Sequence, residues 1–286
     1  MADTQFSMFP KAPAEEEKEP SLASRLGSRM FERQQDMARL FGTLIGAMSS
    51  IFSPGDAART VSVRVAIRQI FFTGVQALPL VGVIAVFVGA TTVIQVQLMA
   101  AALPTDFLGR ILVAIILREL APFATAVVVA GRSGTAMATE LGNMKANSEI
   151  LGLASVGIDP LRFIVFPRIV GTVVSVLALT VYFGAMALLA SYALSQMMGS
   201  SSFSALSGAF SDALVPEDLA LFLIKGTGLG TMVGWLCCHY GLEVQTSPTE
   251  VPQMASHAVV MTLVACVIFN TVVTAGFYWI VGPPVH

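Results

Sequence analysis

The chain has 286 residues, of which 55% are hydrophobic and only 12% charged, and its mean hydropathy is +0.76. Soluble domains carry about 25% charged residues, so this composition argues against a cytosolic enzyme or a nucleic-acid binder and predicts a membrane protein. The net charge of -2 hides an asymmetry, because nine of the sixteen Lys and Arg residues precede residue 69.

The first twenty residues, MADTQFSMFPKAPAEEEKEP, are acidic and Pro-rich. They lack the basic flank and short apolar core of a signal peptide, and their composition predicts a disordered acidic tail over 1–20. Residues 21–68 read as an interfacial region. Arg25, Arg29 and Arg33 recur every four residues on one helical stripe, and Leu26, Met30, Met37, Leu40, Phe41, Leu44, Met48 and Ile51 follow another. A basic amphipathic helix beside a span lies on anionic headgroups; the alternative is a cytosolic helix packed on a partner.

A spanning helix needs about 20 mostly apolar residues. Residues 69–109 contain one charge, Asp106, which predicts a first span over about 70–103 and a turn at Pro104-Thr105-Asp106. A second span is expected over 111–131, interrupted by Arg118 and Glu119. Residues 140–156 have helical apolar spacing at Met144 and Leu151, with charges at Glu140, Lys145 and Glu149 and a stop at Gly157 and Pro160. That pattern predicts a short amphipathic helix facing a soluble partner, or a surface-lying helix with none. Further spans are expected over 169–198, over 219–242, where Lys225 is the lone charge, and over 258–281. The expected fold class is an all-α polytopic membrane protein: an N-terminal interfacial helix, then a five-span domain over 69–286.

Loop charge sets the orientation, because Lys and Arg are retained on the cytosolic side. The N-terminal region has nine, 132–168 has four (Arg132, Lys145, Arg162, Arg168), and 199–218 has none. This predicts a cytosolic N-terminus and a C-terminus outside, although the cytosolic loop 243–256 also lacks basic residues. Secondary transporters often show two related halves. An odd count of spans without internal repeats fits that poorly, and a symmetric oligomer is the economical way to enclose a pathway.

Three charges fall inside spans, each costing at least about 2.5–3.5 kcal/mol, so a functional role is the default reading. Counted inward from Arg110 and Asp218, Arg118, Glu119 and Lys225 share a depth of roughly 10–14 Å below the outer surface. Pairing of Glu119 with Lys225 neutralises the acid and leaves Arg118 for an anionic ligand; a purely architectural ion pair is the alternative. Pro122 is expected to bend this helix. Small residues at every fourth position, Ala130, Gly134, Ala138 and Gly142, then Gly226, Gly230 and Gly234, predict close helix contacts of the kind used in lipid. No G-x-x-x-x-G-K-[ST] occurs, so ATP, if used, binds another chain. Cys237, Cys238 and Cys266 have no disulfide or metal-ligand spacing and read as small apolar residues. Gly131-Arg132-Ser133-Gly134 raises a rhomboid-like intramembrane serine protease, with Ser133 as nucleophile and His239 or His257 as base. Against it, the loop charges place Ser133 at the cytosolic edge beside a cation.

Leu117-Arg118-Glu119-Leu120-Ala121-Pro122, Ala130-Gly131-Arg132-Ser133-Gly134, Glu140-Leu141-Gly142-Asn143-Met144-Lys145 and Val156-Gly157-Ile158-Asp159-Pro160-Leu161-Arg162, followed by Phe166-Pro167-Arg168, resemble the MlaE family. These are permease subunits of ABC transporters that move phospholipid or other lipids across the two-membrane bacterial envelope. The motifs are consecutive and specific, and the likeness extends more loosely from about Leu40 to the end. The resemblance implies a homodimer of five-span protomers around a lipid cavity, a separate ATPase and an MCE-domain protein on the periplasmic side. It implies no cofactor in this chain, with ATP and Mg held by the ATPase. It places the family's Arg-Glu pair on Arg118 and Glu119 beside the cavity; Lys225, singled out by its depth in the span, is the third lipid-cavity candidate. Its coupling helix falls on 140–156, with Glu140, Met144, Lys145, Glu149 and Leu151 as the ATPase-coupling candidates. A plastid member is expected to carry a transit peptide, so the bacterial inner membrane is the expected location. Two departures stand out: 146–154 is less charged than the family's run, and Gln253 and His257 replace its basic residues entering the fifth span. A secondary transporter or channel, and the protease, are the competing classes.

Overall fold

A computed structural model describes residues 56–98, 112, 114–197, 216–244 and 247–281, all within a compact unit spanning Gly42–His286. The acidic tail, the interfacial helix up to residue 55, the turn at 104–106, most of the Ser/Gly-rich loop and residues 282–286 lie outside the described residues. Among those described, the regular structure is helical throughout.

Helix α1, Asp56–Thr73, and helix α2, Leu78–Leu98, are joined by a single 3-10 turn, Val75–Ala77. The break follows from Pro79, whose ring collides with the carbonyl four residues earlier and which gives that carbonyl no N–H. The α-helical pattern stops with Gly74 N donating to Ile70 O at 2.7 Å, and Ala77 N then donates to Gly74 O at 3.1 Å. The membrane-length apolar stretch is Val63–Leu98, so it begins before the expected Ile70. Arg64 and Arg68, four residues apart, both remain exposed while Gln69 and Thr73 turn inward. One basic face therefore does not interrupt the apolar one.

Residues 114–146 run as one helical stretch through changes of pitch: a π turn Ile115–Leu120, helix α3 Ala121–Val129, a second π turn Ala130–Gly134, and helix α4 Thr135–Ala146. Each π turn widens the helix by one residue, a device frequent at functional sites. The expected single helix over 140–156 is instead two pieces, the end of α4 and the short helix α5, Glu149–Ser155. Ser148 between them takes a left-handed φ of 60°, which no continuous helix accommodates. Gly157, at φ +80°, ends α5 in the conformation that glycine adopts most cheaply. Ile158 N donates back to Leu153 O at 3.0 Å. Asp159 Oδ1 then accepts from Leu161 N at 3.0 Å, and Pro160 precedes the π turn Leu161–Val165, where its missing N–H costs nothing. The Gly-Ile-Asp-Pro motif is thus a stop signal followed by a start signal.

Three long helices complete the described unit: α6, Phe166–Met197; α7, Pro216–Leu242; and α8, Val251–Val281, entered through a 3-10 turn at Pro248–Glu250. Helix α8 starts earlier than the expected residue 258, which shortens the loop before it. Helix α6 is central, packing on α1, α2, α3 and α7. Backbone approach makes these contacts possible. A Cβ on Gly230 would lie 2.9 Å from Val173 Cα and one on Gly234 3.1 Å from Ile169 Cα, so the α7 glycine stripe seats on α6. Where α2 crosses α6, Gly89 touches the Ala187 backbone, and Ser191 Oγ donates to Gly89 O at 2.8 Å. In lipid, where apolar tails compete equally for apolar faces, such close contacts and interhelical hydrogen bonds supply the association energy.

Four stretches are long and apolar enough to cross a membrane: Val63–Leu98, Leu161–Met197, Ala220–Leu242 and Pro248–Trp279. They overlap the expected first, third, fourth and fifth spans over most of their length. The expected 111–131 span falls on the pitch-changing stretch that carries Arg118 and Glu119.

Candidate functional site

Arg118 and Glu119 sit on the first π turn, and Lys225 on α7. Lys225 is fully buried. Its Nζ lies 2.8 Å from Glu119 Oε1 and donates to the Arg118 backbone carbonyl, also at 2.8 Å. The second bond has a local cause. Pro122 cannot donate to the carbonyl four residues before it, and the lysine supplies a donor there.

Helix α8 closes the other side of the carboxylate. Asn270 Nδ2 donates to Glu119 Oε2 at 3.2 Å. Thr274 Oγ1 lies 3.1 Å from Oε1 and 3.3 Å from Oε2, and 2.8 Å from its own helix's Asn270 carbonyl. One hydroxyl hydrogen serves these acceptors in turn. Three helical elements therefore meet at one acid that remains 35% exposed on its side chain. The structure brings Glu119 and Lys225 together, with half-buried Arg118 next in sequence. Sequence reasoning missed Asn270 and Thr274. Their signal was present: two polar residues four apart in an apolar run share one helix face.

A second polar contact joins the ends of other elements. Arg132, on the second π turn, donates from Nη1 to Phe72 O at 3.1 Å and from Nη2 to Gln76 Oε1 at 3.1 Å. Its guanidinium lies 5.3 Å from the Phe72 ring centroid. These contacts span the break between α1 and α2. The neighbouring Ser133 is buried, with Arg132 Nη1 3.5 Å from its hydroxyl and no histidine in hydrogen-bond contact with it. His239 faces Glu243 at 3.2 Å, and His257 sits edge-on to Tyr240 at 4.9 Å. A base within reach of the serine is therefore absent among the described residues, which removes the geometric support for the protease.

The five ATPase-coupling candidates divide by environment. Glu140 pairs with Arg168 Nη2 at 2.8 Å. Lys145 Nζ donates to Leu242 O at 2.7 Å, placing a cation on the terminal carbonyls of α7, where the helix dipole favours it. Met144 is half-buried, Glu149 is exposed, and Leu151 is 70% exposed. The three cysteines are buried and unpaired, and no metal-binding group of side chains occurs among the described residues.

The Permease MlaE family profile matches residues 66–275. A chloroplastic protein of Arabidopsis thaliana, trigalactosyldiacylglycerol 1, is 28% identical over 213 residues, which are 74% of this chain and 61% of that protein. A probable ABC transporter permease protein of Rickettsia conorii is 24% identical over 260 residues, covering 90% of this chain and 98% of the relative. The intermembrane phospholipid transport system permease protein MlaE of Haemophilus influenzae is 34% identical over 119 residues, 41% of this chain and 45% of that one. With the match running from α1 into α8 and taking in the Glu119–Lys225 pair, the chain belongs to the MlaE permease family.

Proposed function

We propose that the chain is the membrane subunit of an ABC transporter that moves phospholipid or a related lipid between the inner membrane and a periplasmic MCE-domain protein. The observation that carries this reading is the pairing of Glu119 with the buried Lys225, capped by Asn270 and Thr274, inside a chain of this family. Charged groups at membrane depth are expensive and mark substrate paths. In this reading the second of five crossings lies within the 114–146 stretch, the N-terminus is cytosolic and the C-terminus periplasmic. Two copies enclose the cavity, where Arg118 attracts the lipid phosphate and Glu119 with Lys225 sets the local charge. The subunit is non-catalytic; a separate ATPase binds ATP and Mg and docks near α5, where Glu149 and Leu151 are exposed. The relatives' names support lipid as cargo, since one is an intermembrane phospholipid transport permease.

The test is lipid transfer between donor liposomes carrying the purified assembly and acceptor MCE protein. Arg118→Ala and Glu119→Ala are expected to lower transfer at least tenfold while the subunits still co-purify, a loss of about 1.4 kcal/mol or more in barrier terms. Normal transfer by both variants overturns the assignment.

A further inference from the structure

Helix α8 is packed along its first half and loosely held along its second. Val251, Ala255, Ala258, Thr262 and Cys266 are buried, at steps of three or four residues that place them on one face. The stripe ends there. From Val267 to Trp279 no residue is buried, and Pro248–Trp279 is the least buried of the four membrane-length stretches. The bundle reaches this second half at two places. The Phe269 ring lies over Gly228 of α7, with no room for a Cβ between them. One turn on, Asn270 Nδ2 donates to Glu119 Oε2 at 3.2 Å and Thr274 Oγ1 to Oε1 at 3.1 Å.

The second half also carries the means to bend. Thr271 Oγ1 donates to Val267 O at 2.9 Å, and Thr274 Oγ1 lies 2.8 Å from Asn270 O; threonines bonded to the carbonyl four residues back weaken and bend a helix. The closed arrangement leaves one group unmet. Asn270 Oδ1 is buried without a hydrogen-bond partner among the described residues, a cost that movement exposing the amide relieves. Segments with few buried apolar contacts open at the lowest free energy.

We propose that the second half of α8 is a gate that swings away from α7, and that Asn270 and Thr274 are positioning residues that hold it shut on the Glu119 carboxylate. Glu119 keeps its Lys225 partner when the gate opens, so the movement orphans no charge. The lever from Cys266 to Trp279 is 13 residues long, roughly 20 Å at 1.5 Å per residue. A bend of about 20° carries its tip about 7 Å. The gate's purpose, access from the side to the Glu119 cluster, rests on the transport role proposed above; the motion itself does not.

The experiment uses the full chain in nanodiscs with spin labels at Leu223→Cys on α7 and Trp279→Cys on α8, both exposed positions; the native cysteines are buried. Labelled copies are diluted among unlabelled ones, and pulsed electron resonance reads the α7–α8 distance. A second pair, Val174→Cys on α6 and Val260→Cys on the first half of α8, reports the packed half from exposed positions. Asn270→Leu/Thr274→Val, near-isosteric changes that leave the Glu119–Lys225 pair in place, are expected to raise the population of the longer α7–α8 distance at least about tenfold, with the packed pair unchanged. Thr274→Ser, which keeps the hydroxyl, is expected to stay closed. An unchanged α7–α8 distance in the double variant overturns the proposal, since other contacts, such as a second copy, then fix α8. So does widening of both pairs, because the two residues then hold the whole helix, and so does equal opening by Thr274→Ser. Lipid transfer measured in parallel separates the gate from the transport role. A closed α8 in the double variant, with transfer lost on Glu119→Ala, sinks the gate alone. A widened α8, with normal transfer by Arg118→Ala and Glu119→Ala, upholds the gate and sinks the transport role.

Discussion

Lys225 Nζ stands 2.8 Å from the Glu119 carboxylate and 2.8 Å from the Arg118 carbonyl, so one buried cation balances an acid and serves a backbone group beside a proline. Lys225→Met removes both, leaving a partly exposed carboxylate held by Asn270 and Thr274 alone. Breaking a buried pair from one side costs about 3–5 kcal/mol; the 35% exposure of Glu119 brings the expected loss to about 1–3 kcal/mol. The double variant Glu119→Gln/Lys225→Met carries no orphaned charge and is expected to regain most of that stability in detergent melts. Lipid transfer is expected to stay low in both. Recovery of transfer by the double variant would mean that the pair is architectural.

Legibility in the sequence followed physical range. Four of the five expected spans were legible because twenty apolar residues are a local property, and the Glu119–Lys225 pair because two lone charges at one depth have few other partners. The α7 glycine stripe was legible from its spacing alone. What escaped depended on distant geometry. Nothing in residues 140–156 announces that Glu140 is taken by Arg168 or Lys145 by Leu242, since both partners come from other helices. Ser148 adopts a left-handed conformation without glycine, so the split of the expected 140–156 helix had no strong local marker. The π turns escaped for the same reason, because a one-residue change of pitch leaves the apolar pattern nearly unchanged.

Glycine packing gives a paired prediction. A Cβ at Gly230 meets Val173 Cα at 2.9 Å, whereas one at Gly276 meets nothing within 4 Å. Gly230→Ala must push α6 and α7 apart at the backbone and is expected to destabilise the protein by about 1–3 kcal/mol. Gly276→Ala gains helix propensity without contact and is expected to be neutral or stabilising by up to about 1 kcal/mol. Thermal unfolding of the two purified variants in one detergent compares them directly. Equal shifts would contradict the observed crossing of α6 and α7.

Arg132 ties the second π turn to the break between α1 and α2 through Phe72 O and Gln76 Oε1. Arg132→Gln loses the fork and the contact with the Phe72 ring, an expected cost of about 1–3 kcal/mol. Arg132→Lys keeps the charge and one donor and is expected to recover only part, since a point charge cannot replace a bidentate fork. Hydrogen exchange is the sharper measurement. Faster exchange confined to residues 72–78 supports a local strut, and uniformly faster exchange along all helices argues against one.

The surroundings of α5 separate the residues proposed to dock the ATPase from those that support the fold. Glu149 and Leu151 face outward with no described structural partner, whereas Glu140 and Lys145 hold Arg168 and the end of α7. Glu149→Arg and Leu151→Asp are therefore expected to weaken ATPase association at least tenfold with the melting temperature of the isolated subunit unchanged. Truncating the leucine removes an apolar anchor, and such anchors carry about 2 kcal/mol or more at interfaces. Lys145→Ala is expected to do the reverse, lowering subunit stability by about 0.5–1.5 kcal/mol and weakening association only in proportion. Binding by light scattering or surface plasmon resonance, read beside melting curves, distinguishes the two groups. If Lys145→Ala abolished association in a fully stable subunit, the docking surface would extend from α5 back onto the end of α4.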